Sequence, residues 1–236
     1  MKPRSRARPS VRRTLRRSRP VRSFVESRKN HLRLHILSGL IPPGGVGAEL
    51  GVFKGEFTPR LLNGLRPTLM YVVDSWYLRG PRWEWAPGDQ STVRGLRRVL
   101  DRISGALESG QAHIVIADDR DFLARLDDDA LDWVYLDSSH KYEQTVLELS
   151  LLVIKVKPGG VIAGDDWQPD VTHRHHGVCR AVREYAERGL IELVYTDETS
   201  KQWAARVIAR GSRPRSAAYI AASAEGPDAV TGMQEA

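Results

Sequence analysis

The chain has 236 residues with 41% hydrophobic and 28% charged side chains, which suits one α/β domain with tails and a core of its own. Apolar runs stay short of membrane-spanning length, and the one cysteine, Cys179, excludes an internal disulfide, so a reducing, cytoplasmic setting is the default expectation. Ten of the 36 Lys and Arg lie in residues 1–22, which hold no acid; the other 26 face 29 acids, a net of −3, so the domain itself is mildly acidic.

Residues 1–22 are rich in Arg, Ser and Pro and poor in apolar side chains, so they are expected to form a disordered basic tail. Arg12-Arg13 resembles a twin-arginine export signal, but the charged stretch after it lacks the apolar segment such a signal requires. A transit peptide, an arm for polyanions and a merely solvated tail all fit that composition. Phe24, Leu32, Ile36, Leu37 and Leu40 space loosely as one helix face, predicting a leading helix over 23–40 that stops at Ile41-Pro42-Pro43-Gly44-Gly45.

Val46 to Leu50 predicts a short buried strand that turns through Gly51 and Gly55 into a helix starting near Glu56. Such a turn presents backbone N–H groups and lets a ligand come close. Glu49 at its end would repel a pyrophosphate and welcome an ammonium or sulfonium. A dinucleotide fingerprint on Gly45-Val46-Gly47 is disfavoured, because that motif needs its strand before the glycines. Further on, strands are expected at Leu69–Val73, Ala112–Ile116, Leu131–Leu136 and Val161–Ala163, with helices over Ser91–Ile103, Phe122–Leu126, Tyr142–Val156 and Gly177–Arg188 between them. Lys157-Pro158-Gly159-Gly160 reads as a helix stop, and Leu190–Tyr195 with Gln202–Ile208 as an antiparallel hairpin. Residues 211–236 have no period and predict a second disordered tail; the domain then spans 23–210.

Strands alternating with helices predict a doubly wound, mainly parallel sheet with ligands beyond the strands' carboxyl ends. Nearly every strand there ends in an acid: Glu49, Asp74, Asp118, Asp137 and Asp165. Acids gathered on one rim repel one another unless cations join them. Asp74 stands where nucleoside binders accept ribose hydroxyls. Asp118, with Asp119 as rival, could receive an adenine amino group or cap a helix. The loop after Asp74 carries Trp76, Tyr77, Trp83 and Trp85, fit to cover a ring or simply to pack. His173, His175 and His176 lie in a loop without a cysteine partner, which argues against zinc and for a loop moving near the site.

Glu49-x-Gly51-x-x-x-Gly55, then Asp74, then LDWVYLDSSHKYEQTVLELSLLVIKVKPGGVIAGDDW resemble class I S-adenosylmethionine-dependent methyltransferases, specifically the metal-dependent O-methyltransferases of the macrolide and sugar type and, distantly, the catechol type. The resemblance implies a Rossmann-like fold of seven strands, the last antiparallel. Glu49, Gly51, Gly55, Asp74 and Asp118 would bind S-adenosylmethionine. Asp137, Asp165 and Asp166 match positions holding a divalent cation, expected to be Mg2+, and His140 matches a general base, with Asp137 the other catalytic residue. Ser138 and Asp165 depart from the family's usual residues, leaving the ligand choice between Asp165 and Asp166 open.

The implied function is methyl transfer to a hydroxyl of a small molecule: a sugar, a polyketide glycoside or a catechol-like ring. Free alcohols hold almost no alkoxide near neutrality, so a cation or a base such as His140 is needed. Two alternatives stay open. One is a hydroxylase-like relative of the same scaffold; the other is a nucleic-acid-associated protein with an Arg-rich arm and a cofactor-binding but inactive domain. A homo-oligomer is compatible with either, and a membrane partner is not expected.

Overall fold

The computed structural model describes residues 19–79, 91–209 and 211, with side chains from residue 28 onward except that of Arg79. Much of each predicted tail, and Trp83 and Trp85, therefore lie outside the described residues. Helix α1 spans Arg19–Leu40, starting earlier than the apolar spacing indicated. Strand β1 (Val46–Leu50) leads to α2 (Thr58–Leu65), β2 (Leu69–Asp74) and a 3-10 turn at Trp76–Arg79. Then come α3 (Thr92–Arg102), α4 (Ser104–Glu108), β3 (Ala112–Ile116), α5 (Asp119–Ala124) and β4 (Leu131–Leu136). The chain continues through α6 (Tyr142–Lys155), β5 (Val156–Gly164) and α7 (His176–Glu187) to β6 (Ile191–Asp197) and β7 (Gln202–Val207).

The strands form one seven-stranded sheet ordered β3-β2-β1-β4-β5-β7-β6. β1 to β5 run parallel, and β7 lies antiparallel to both β5 and β6, as expected of the Rossmann-like methyltransferase fold. Central strands are nearly unbroken apolar runs because helices cover both faces. Leu149, Leu152, Val178 and Val182 of α6 and α7 pack against one face with Ala48, Leu50 and Leu136; Leu37, Leu61, Leu65 and Val99 of α1 to α3 pack against the other with Met70, Val72 and Trp133.

Lys157-Pro158-Gly159-Gly160 does not sit in a loop before β5. The strand begins at Val156, paired with Leu131, and its register slips before Trp133 meets Val161. Pro158 has no N–H to give a ladder and Gly159 adopts φ 77, so the segment bulges out of the strand. Among the described residues no helix is long and apolar enough to cross a membrane.

The strand order reverses between β1 and β4, and the register brings Leu50 level with both Val73 and Leu136, and Leu136 level with Gly164. The residues that follow continue the ladder: Gly51 N donates to Val73 O (3.0 Å), Asp137 N to Leu50 O (2.8 Å) and Asp165 N to Leu136 O (3.2 Å). Pairing in register therefore sets the acids of four neighbouring strands along one edge.

Candidate active site

Glu49 is 3% exposed, and its Oε2 is buried without a hydrogen-bond partner. Burial pushes its carboxyl up to about 8, with the charges of Asp137 and Asp74 adding to the rise. Asp74 is also buried; its Oδ2 accepts from Phe53 N at 2.7 Å and its Oδ1 from Trp76 N at 2.9 Å, so it knits the two turns after β1 and β2 together. Burial raises it despite these amides. Gly51 (φ 87) and Gly55 (φ 62) need a left-handed backbone, and side chains there would collide with the protein itself. A Cβ on Gly51 would lie 2.2 Å from the Asp137 carbonyl oxygen, and one on Gly55 2.9 Å from Val99 Cγ2. Gly51 lets β1 and β4 close up at their ends, and Gly55 lets the turn close against Val99 of α3. Trp76 is buried with its Nε1 on Phe53 O at 2.8 Å, so it belongs to the core; Tyr77 is exposed.

Asp118 caps α5: its Oδ1 accepts from Arg120 N (3.2 Å) and Arg120 Nε (3.0 Å). Asp119 sits where the charges of Glu148, Asp74 and Asp118 all reach it, and burial lifts its carboxyl well above the usual range. Glu148 of α6, which sequence reasoning passed over, is fully buried. Its Oε1 accepts from Ser138 Oγ (2.7 Å) and Gln144 Nε2 (3.1 Å), its Oε2 has no partner, and burial pushes it up to about 7.

At the ends of β4 and β5 the cations come from α1. Arg33 is buried and pairs with Asp165 Oδ2 through Nη2; its Nη1 lies 3.6 Å from Asp137 Oδ2. Lys29 Nζ adds a contact to Asp165 Oδ2 at 2.6 Å, and Gln202 Nε2 donates to its Oδ1 at 2.6 Å. Asp137, partly exposed, is pushed up to about 6 by burial and by the Asp165 charge, against Arg33. Asp166 turns elsewhere, with φ 63, to meet His140 Nδ1 and His175 Nδ1, the latter at 3.0 Å. Burial would raise Asp166, but the bond from His140 and the charges of both histidines hold it below the ordinary carboxylate range. His140 is raised: burial works against its charge, and the hydrogen bond and charge of Asp166 outweigh that.

A family model described as a methyltransferase domain matches residues 48–167, just over half of the chain. The chain belongs to that methyltransferase family. It is a class I S-adenosylmethionine-dependent enzyme by family and fold. Among solved structures, N-methyltransferase NodS from Bradyrhizobium japonicum WM9 superposes with TM-score 0.51 at 16% identity, over 78% of this chain and 97% of its own. An rRNA methylase from Streptococcus thermophilus gives TM-score 0.51 at 12% identity, over 76% and 96%. Geranyl diphosphate C-methyltransferase from Streptomyces coelicolor A3(2), solved with Mg2+, geranyl diphosphate and S-adenosyl-L-homocysteine, gives 0.53 at 12% identity, over 78% and 79%. At such identities the likeness shows the fold alone. No curated protein matches the chain.

The residues of this methyltransferase fit its cofactor. A buried, unpartnered carboxylate oxygen on Glu49, with Asp74 beside it, suits a ligand that carries positive charge. Magnesium among Asp137, Asp165 and Asp166 fits poorly. Asp165 already holds Arg33, Lys29 and Gln202, Asp137 faces Arg33, and Asp166 faces two histidines. Lys29 and Arg33 were not foreseen, and His175 was expected only in a loop near the site, not as a partner of Asp166. A signal for the first two existed in their spacing with Leu37 at i, i+4 and i+8 on one helix face, but charges on a helix are ordinarily read as solvated.

Proposed function

We propose that this methyltransferase transfers the methyl group of S-adenosylmethionine to a hydroxyl of a small molecule. Supporting this reading above all is the end of β4, where Asp137 and His140, both partly exposed proton acceptors, stand at the switch point of the sheet. S-adenosylmethionine supplies a methyl carbon on a sulfonium, which an acceptor oxygen displaces in line while sulfur keeps the electron pair. Glu49 would hold the ammonium of the methionine part and Asp74 the ribose hydroxyls, with Gly51 and Gly55 shaping the turn between them. Asp119 is the better partner for the adenine amino group, since Asp118 is committed to its cap and to Arg120. Asp137 and His140 would take the acceptor's proton, and Arg33 and Lys29 supply the positive charge that the carboxylate rim requires. The mildly acidic domain favours a small acceptor, a sugar, a polyketide glycoside or a catechol-like ring, over a nucleic acid.

Calorimetry should show S-adenosylhomocysteine binding to the full chain and not to Asp74→Ala. A methyl-labelled donor offered to hydroxyl-bearing small molecules, amines and RNA should label the first as ethers. Label on an amine would overturn the hydroxyl assignment, and label found in RNA would overturn the small-molecule acceptor.

A further inference from the structure

We propose that His140, Asp166 and His175 form a binding site for one divalent first-row transition-metal ion, such as zinc, manganese or iron(II), in preference to magnesium. Among the described residues this is the set of three donor side chains whose ligand atoms lie within 4.8 Å of one another. Both imidazoles direct Nδ1 at the same atom, Asp166 Oδ2, and their ring centroids are 4.6 Å apart. Donors that share an ion at bond lengths of about 2.0–2.2 Å stand roughly 3.0–3.5 Å from one another. The 3.0 Å between His175 Nδ1 and Asp166 Oδ2 falls at the edge of that range. Two imidazoles and one carboxylate are a nitrogen-rich set, suited to iron, zinc and their neighbours, whereas magnesium demands oxygens.

Two of the three donors, Asp166 and His175, are fixed from outside the cluster. Asp166 keeps a left-handed φ of 63 between two anchored neighbours: Asp165, whose carbonyl accepts from Trp203 Nε1 at 3.1 Å, and Trp167, whose amide donates to Lys201 O at 3.0 Å. His175 is held by its own amide, which donates to His173 Nδ1 at 3.1 Å, and the adjacent His176 bonds Gln168 O through Nδ1 at 2.9 Å. Such bonds place the His175 ring before any ion arrives. His140 and Asp166 are 28% and 18% exposed, so coordination positions remain open to solvent, and Asp137 stands near enough for its charge to act on both. The sequence argued against zinc in the His173–His176 loop for want of a cysteine; the missing ligands come from the ends of β4 and β5.

Binding of the ion does not depend on the methyl-transfer reading, but its use does: beside Asp137 it would polarise the acceptor's oxygen, leaving the proton to Asp137 instead of His140. The test is titration of chelator-stripped, dialysed full-length protein with Zn2+, Mn2+ and Mg2+ by calorimetry. One Zn2+ per chain is expected, bound at least about 100-fold more tightly than Mg2+. His175→Ala and His140→Ala should each weaken Zn2+ by more than the roughly 10–100-fold typical of losing an outer-shell partner, while His113→Ala, on the exposed face of β3, should not. S-adenosylhomocysteine binding by the same variants reports that they are folded, with Asp166→Asn as a further variant should one not be. Failure of wild-type protein to bind S-adenosylhomocysteine would sink the methyl-transfer reading and leave the metal titration intact. No stoichiometric Zn2+, or Zn2+ bound by both histidine variants as tightly as by wild type, would reduce the trio to a hydrogen-bonded cluster and overturn the proposal.

Discussion

Glu49 is under two opposed demands. Its pKa of about 8 in the folded protein lies above the ordinary value of 4.5, so the stability it contributes is complete below about pH 4.5 and lost as pH rises through 8. A bound cationic ligand asks for the ionised form. Glu49→Gln should therefore raise stability at pH 9, on the order of 3–5 kcal/mol at most, while weakening S-adenosylhomocysteine. Urea titrations at pH 5 and pH 9, paired with calorimetry, check both signs; a variant that binds the cofactor product as well as wild type would remove Glu49 from the site. Asp137, raised to about 6, gives a second pH signature. As a proton acceptor it must be ionised, so kcat/KM should climb from pH 5 to pH 7. Asp137→Asn should flatten that limb and cost about 10²–10⁴-fold. Which residues lined the rim could be read from the sequence, because strand ends and acids coincide in it. What each acid touches could not: Asp118 and Asp119 are adjacent letters, and only the helix cap separates their roles.

At the scale of elements, the sheet and its helices were legible because buried parallel strands and amphipathic helices have distinct periods. The β5 bulge was not, since Lys157-Pro158-Gly159-Gly160 has the composition of a loop and only cross-strand pairing with Leu131 shows that the strand starts earlier. Helix α1 was expected as a leading helix, and through Leu37 it packs into the core. It also carries Lys29 and Arg33 to the ends of β4 and β5, where Arg33 lies over the rings of Phe57 and Tyr135, with its guanidinium carbon 5.6 and 5.9 Å from their centroids. Charge that a solvated helix face would spend on water is here used to neutralise Asp165. Truncating one member of a buried ion pair costs about 3–5 kcal/mol because the other is left uncompensated; Lys29 will temper that. Arg33→Met should accordingly destabilise by a few kcal/mol, and adding Asp165→Asn should recover much of the loss. A double-mutant cycle in urea measures this, and additive losses would mean that the pair is not coupled.

For the molecule as a whole, charge is divided between two places. The folded domain keeps its carboxylates on one rim and meets them with Arg33, Lys29 and a cationic cofactor, whereas eight of the 36 Lys and Arg fall in residues 1–18. Removing those residues leaves α1 whole and 28 bases against 29 acids, close to neutral. Any affinity for a polyanion should then reside in the segment removed, and cofactor affinity in the part retained. The full chain is expected to bind RNA or heparin with an affinity that falls steeply with salt, by a log–log slope of up to about −6 for eight basic residues. Loss of residues 1–18 should abolish this binding and leave S-adenosylhomocysteine affinity within about 2-fold. Because counterion release counts the phosphates neutralised, the slope reports where the contacts are as well as how strong they are. A truncated chain that keeps the full slope would put the basic surface on the domain itself, and a nucleic acid would then displace the small molecule as the expected methyl acceptor.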